Sequence, residues 1–235
     1  MSQNKTVEEM FAVGAHYGYA KSRRHPTVLP YIFGVKGGVE IFDLDKTSGL
    51  LEKAKEFAKT LGSEDKQILF VAGKRQALSI VKDGADQINQ PYVIGRWIGG
   101  TLTNFEEISK RVKRLEMLND QKEKGLLAKY TKKERLLIDR EIEKLEDRFG
   151  GIVSMKRKPG ALFIVDASQE EIAHAEAIVT KVPTISLCGS DCDISEVEYP
   201  IVANDSSVDS IKYFVNQIVE AYREGVKNKK TVEQK

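Results

Sequence analysis

Two short stretches of the chain, residues 68–72 and 161–165, are apolar at every position. Strict alternation is absent, which is the pattern of strands covered by helices on both faces. The reading is parallel strands over 67–72 and 161–166, with weaker candidates at 92–94, 184–188 and 199–202. Amphipathic stretches lie between them. Residues 45–61 place Leu50, Leu51, Ala54, Phe57, Ala58 and Leu61 at helical spacing before Gly62. Residues 75–88 and 169–180 follow the same rule, and 207–223 carries Val208, Ile211, Val215, Ile218 and Val219 on one stripe before Gly225. Strands alternating with helices predict an α/β fold with a parallel sheet. Residues 31–34 and 39–42, joined through Lys36-Gly37-Gly38, predict a β-hairpin ahead of the first long helix.

The middle of the chain breaks this rhythm. Phe105, Ile108, Val112 and Leu115 recur at intervals of 3 and 4, as do Ile138, Ile142, Leu145 and Phe149. That is heptad-like spacing on two segments separated by a polar stretch containing Gly125. The economical arrangement is an antiparallel helical hairpin over 103–155, inserted into one α/β domain made of 1–102 and 156–226. Residues 227–235 read as a basic, disordered tail.

Composition sets bounds on these elements. The 235 residues are 41% hydrophobic and 31% charged, enough for a core. No apolar run approaches the length of a membrane span, and the N-terminus has no signal-peptide pattern. Two cysteines make no disulfide framework, which points to a reducing, cytoplasmic setting. Net charge is +2, but it is unevenly distributed: +3 over 1–102, +5 over 103–160, −9 over 161–225 and +3 over 226–235. A basic body beside an acidic C-terminal third suggests a polyanion on one side and solvent or a basic partner on the other.

Signatures of catalysis are missing. Gly73-Lys74 follows a strand, but Arg75 stands where a phosphate loop needs Ser or Thr. Gly34, Gly37 and Gly38 do not have dinucleotide-fingerprint spacing. His16, His25 and His174 sit in no catalytic motif, and Ser168 in no nucleophile elbow. Asp166 reads as a polar strand end. Cys188 and Cys192 lack the second pair of a structural zinc site, so Cys188 reads as a small core residue. No metal or cofactor is expected.

The positive signal is basic. Lys110, Arg111, Lys113 and Arg114 fall within five positions; Lys132, Lys133 and Arg135 begin the second hairpin helix; Lys156, Arg157 and Lys158 precede Pro159-Gly160. Arg23-Arg24, Lys74-Arg75 and Arg96-Trp97 add pairs in loops or at strand ends. Each alone suits a solvated face, but together they suit phosphate contacts, with Arg96 and Trp97 adding stacking or cation–π contact. Trp97 as a packed residue at the hairpin base is the compatible alternative.

Eight stretches then resemble the bacterial form of the family of the second protein of the small ribosomal subunit. The most specific is Arg96-Trp97-Ile98-Gly99-Gly100-Thr101-Leu102-Thr103-Asn104. In order and spacing, Gly14–Gly18, Pro30–Gly34, residues 68–77, Thr131-Lys132-Lys133-Glu134, residues 145–152, 159–166 and Tyr199-Pro200-Ile201 agree. The resemblance implies a flavodoxin-like, Rossmann-like α/β domain with a protruding coiled coil. It implies binding to small-subunit ribosomal RNA, neighbours among other small-subunit proteins, and docking of the large messenger-binding ribosomal protein. Tyr19, His25 and Thr27 depart from the family's usual His, Asn and Lys. Two rivals stay open: a nucleotide-binding or receiver-like domain, and a coiled-coil adaptor that binds only proteins.

Overall fold

The computed structural model describes residues 2–233. Its centre is a sheet of five parallel strands, β4 (Ile68–Ala72), β5 (Tyr92–Ile94), β6 (Ala161–Val165), β7 (Thr184–Cys188) and β8 (Tyr199–Val202), in the order β5-β4-β6-β7-β8. β4 and β6 are buried at every position, as their unbroken apolar runs predict, and so is β7, the weaker candidate, whose run is interrupted by Thr184 and Ser186.

Successive side chains of a strand serve opposite faces. Ile68, Phe70 and Ala72 enter one cluster with Phe163, Ile185 and Ile201. That face is covered by α2 (Leu44–Ser63), α3 (Leu78–Gln87) and α7 (Val208–Glu233). Leu69, Val71, Leu162 and Ile164 enter a second cluster. There the cover is α6 (Glu171–Thr180) together with Ile108 and Val112 of α4 (Phe105–Glu123) and Phe149 of α5 (Lys132–Phe149). The roots of α4 and α5 are therefore part of the sheet's core. Farther out, Leu115, Leu118 and Ile142 form a separate cluster between the two helices. Thr131 starts α5 with a capping box in which Thr131 and Glu134 exchange hydrogen bonds.

Ahead of the main sheet, α1 (Ser2–Ala12) precedes a small antiparallel sheet of order β1-β3-β2, built from β1 (Tyr17–Ala20), β2 (Ile32–Lys36) and β3 (Val39–Phe42). The β2–β3 hairpin matches the sequence reading; β1 and α1 were not foreseen. β1 is four residues long with only partial burial, so it carries almost no periodic signal.

Gly62 stands one residue before the end of α2 at Ser63, so that helix closes where the glycine suggested. Gly225 does not stop its helix: α7 continues to Glu233, so residues 227–233 prolong a helix where composition suggested a disordered tail. Gln234 and Lys235 lie outside the described residues. The two glycines also let α2 and α7 cross closely. A Cβ on Gly62 would strike the Tyr222 carbonyl, and one on Gly225 the Lys59 carbonyl.

This gives two opposite expectations within one helix. Gly49 is exposed in α2 with nothing near its missing Cβ, so Gly49→Ala should stabilise by about 0.5–1 kcal/mol. Gly62→Ala should destabilise by about 1–3 kcal/mol or more, because backbone rather than a side chain must move. Urea unfolding of both variants checks the contrast, and equal midpoints would refute the close-crossing role.

Candidate nucleic-acid interface

The loop from β5 to α4 is organised by one carboxylate that the sequence reading passed over. Glu176 of α6 is buried. Its Oε1 accepts from Trp97 Nε1 at 3.1 Å and Gly100 N at 2.7 Å. Its Oε2 accepts from Leu102 N and Thr103 N, both at 3.0 Å, and from Thr103 Oγ1 at 3.1 Å. Burial alone would push the Glu176 carboxyl up, but these donors override it and hold it below the usual carboxylate range. The one available signal was an acid beside Ala173 and Ala177 on the buried side of α6.

Trp97 is 6% exposed and belongs to the second core cluster. It is not the exposed stacking platform that its pairing with Arg96 suggested; it packs at the root of the helix pair. Arg96 beside it is exposed and lines a groove with Arg148 and Asp147.

Lys74 is likewise drawn inward. Its Nζ lies 2.8 Å from Asp166 Oδ2, 2.7 Å from Asp205 Oδ2 and 3.3 Å from the Tyr19 hydroxyl. Burial pulls the ammonium down, yet Asp205 and Asp166 hold it above the ordinary lysine range. Asp166 adopts a left-handed backbone (φ 67°), and its Oδ1 accepts from Ser168 N and Gln169 N. This residue is more than a strand end: it ties the loop after β6 to the loop after β4. Arg24 is also committed to an internal pair, with buried Glu40 at 3.0 Å. Arg23 stacks over Tyr19 at 4.2 Å and bonds Asp191 at 2.7 Å.

The helix pair divides its cations. Ile108, Val112 and Leu115, three of the four positions the spacing marked, are buried on α4 together with Leu118, while Phe105 is only partly buried. Lys110 pairs with Glu107, and Arg114 clamps Glu141 of α5 through Nε and Nη2 at 3.0 and 3.3 Å. Arg111 and Lys113 are exposed and form no ion pair among the described residues. Lys132, Lys133, Lys156 and Lys158 are also exposed and form none among those residues. Arg157 gives one N–H to the Asp65 carbonyl. Arg75 is exposed beside Lys74. Lys113 and Lys156 share a groove at the root of the pair with Phe105, Val112 and Met155.

The acidic C-terminal third is partly an interior. Asp166, Glu170, Glu176 and Asp205 are all buried, so much of its charge faces the protein's own cations and N–H groups. Cys188 and Cys192 are free and buried. Among the described residues no group of His, Cys, Asp and Glu is placed to hold a metal, and no helix is long and apolar enough to cross a membrane.

The family model described as ribosomal protein S2 matches residues 10–225. The small ribosomal subunit protein uS2 of Wolinella succinogenes is 39% identical over 220 residues, covering 94% of this chain and 81% of the relative. That of Karelsulcia muelleri is 41% identical over 212 residues, covering 90% and 96%. That of Helicobacter hepaticus is 39% identical over 220 residues, covering 94% and 83%.

Two expectations follow from the buried acids. Glu176→Gln keeps the shape but turns an amide NH2 toward N–H donors, and should destabilise by about 2–4 kcal/mol. The chain's single tryptophan reports it: fluorescence unfolding should shift to lower urea, and an unchanged midpoint would refute the socket. Glu170 is pushed up to about 7 by burial and by the Asp166 charge, against a Gly73 N–H that favours ionisation. The folded protein therefore holds a proton that the unfolded chain has released above its ordinary 4.5. That contribution to stability is full below about 4.5 and is lost as pH rises through about 7. Melting of Glu170→Gln against the parent should show the variant gaining ground from pH 5 to pH 8; a constant difference would contradict the shift.

Proposed function

Because this chain belongs to the ribosomal protein S2 family, we propose that it holds small-subunit ribosomal RNA with the cations its fold leaves unpaired. The protein is a structural, non-enzymatic constituent of the small ribosomal subunit and acts in translation. Its place is on the ribosome, in the cytoplasm, among the subunit's RNA and proteins.

The observation that carries the RNA reading is the sorting of charges. Lys74 and Arg24 face buried carboxylates, whereas Arg75, Arg96, Arg111, Lys113, Lys132, Lys133, Lys156 and Lys158 are exposed and form no ion pair among the described residues. Unpaired surface cations favour a polyanion, because each phosphate contact releases condensed counterions. α4 and α5 act as a projecting coiled-coil arm, with their roots locked in the sheet's second core cluster. An arm fixed at its root loses little entropy on docking. Residues 1–102 and 156–226 form the body that carries it. Neighbouring small-subunit proteins complete the surroundings, and the large messenger-binding ribosomal protein is one of them in this reading.

Lys113 and Lys156 offer the direct test, since they line one groove although they lie 43 positions apart in the sequence. Lys113→Ala with Lys156→Ala should leave thermal stability within about 0.5 kcal/mol of the parent. The same variant should incorporate less well into small subunits in competition with it. Normal incorporation would reduce these lysines to a solvated face.

A further inference from the structure

The flank of the helix pair opposite Lys113 carries a second set of cations. Arg140, Lys144 and Arg148 follow one another at four-residue intervals on α5. Positions four apart lie on one helix face, and eight residues rise about 12 Å. All three line one groove with Arg111 of α4. Arg148 also lines the next groove, with Arg96 at the end of β5. All five side chains belong to exposed residues, and none forms an ion pair or side-chain hydrogen bond among the described residues. Four acids stand close by. Glu141 is already bonded to Arg114, and Glu107, near Arg111, to Lys110; Asp147 lines the Arg96 groove, and Glu146 lines a further groove with Arg148.

We infer that Arg96, Arg111, Arg140, Lys144 and Arg148 form a linear binding stripe for the phosphodiester backbone of one RNA segment, running from the carboxyl end of β5 outward along α5. The inference rests on the RNA reading above and adds a surface to it. Three observations favour a phosphate chain over an acidic protein. Four of the five groups are guanidinium forks, which match phosphate oxygens in pairs. Three of the five follow one line along α5, with Arg111 of α4 lining the same groove and Arg96 the next one, so the charges are strung out rather than gathered around a centre. The groove offers little of the apolar, charge-depleted core that protein interfaces use; Leu137 is its one well-exposed large apolar side chain. The stripe is also held rigidly at both ends. Glu176 fixes the loop that carries Arg96, and Arg114–Glu141 ties α4 to α5 beside Arg111 and Arg140.

The test measures binding of the full chain to a transcript of small-subunit ribosomal RNA across a salt series. Arg140→Gln, Lys144→Gln and Arg148→Gln together should flatten the slope of log affinity against log salt by about two units, at about 0.7–0.9 per lost contact. Lys110→Gln should change it little, because that ammonium is paired with Glu107. Arg140→Lys with Arg148→Lys should retain most of the slope, and an unchanged melting curve shows that the triple variant folds. An unaltered slope in the folded triple variant, with the parent showing steep salt dependence, overturns the stripe and leaves the RNA reading standing. A parent with no salt-dependent binding overturns both. A triple variant that binds RNA normally yet is lost from assembled subunits assigns the stripe to a protein neighbour and likewise overturns it.

Discussion

The Glu176 carboxylate accepts five hydrogen bonds from one loop, two on Oε1 and three on Oε2, and the placement of α4 follows from them. A buried carboxylate is tolerable only when its oxygens are satisfied. Here the satisfying groups are donors of Trp97, Gly100, Leu102 and Thr103, all within the loop that ends where α4 begins at Phe105. The interaction therefore works in both directions. The loop's N–H groups, which no sheet or helix would use, find an acceptor, and the carboxylate finds donors enough to remain charged. Trp97 and Leu102 are carried into the sheet's second core cluster as a consequence. α4 can leave the sheet in only one direction, α5 returns against it, and the spacing of every cation along the pair inherits that direction.

Charge in this molecule is divided between an interior and an exterior set. The interior set joins Lys74 to Asp166 and Asp205, distant in sequence, and Arg24 to Glu40 of β3, 16 positions away. Buried pairs of this kind contribute little net stability, but removing one partner leaves an uncompensated charge. Their effect is to fix which loop ends meet at the carboxyl edge of the sheet. The exterior set is exposed and mostly unpaired, which is the condition under which a cation can exchange water and counterions for phosphate. A net charge of +2 conceals this partition.

How much of this was legible in the sequence depends on whether the signal was periodic. Ile68–Ala72 and Ala161–Val165 declared themselves as doubly covered strands, and the 3–4 spacing of Ile108, Val112 and Leu115 gave the seam of α4. Partnership was not legible. Lys74 and Arg75 are adjacent and chemically alike in the sequence, yet one is enclosed by two carboxylates and the other is solvated. The acids that decide this lie 92 and 131 positions away. Trp97 beside Arg96 suggested an exposed platform because aromatic and cation were read together; the distant acceptor Glu176 separated them. Gly225 looked like a helix stop because glycine ends helices more often than it lets two of them touch. Arg140, Lys144 and Arg148 did have a periodic signal, but it is interleaved with acids and is smaller than the dense run at Lys110–Arg114, half of which the fold pairs off.

The same partition explains why a nucleotide-type sheet serves a structural part. Numbered from β4, the strand order is 2-1-3-4-5, and such sheets receive ligands at the carboxyl ends of the strands where the order reverses, between β4 and β6. In this chain protein groups already fill that place. The Glu170 carboxyl lies against Gly73, accepts its N–H, and occupies the space a Cβ there would need. Lys74, which follows Gly73 at the end of β4, is enclosed by Asp166 and Asp205. An incoming phosphate would meet three carboxyl groups and a lysine whose charge is already matched. With its usual crevice satisfied internally, the sheet acts on its surroundings through what its edge carries outward: the loop from Arg96 to Asn104, the helix pair that this loop aims, and the cations left free along both flanks.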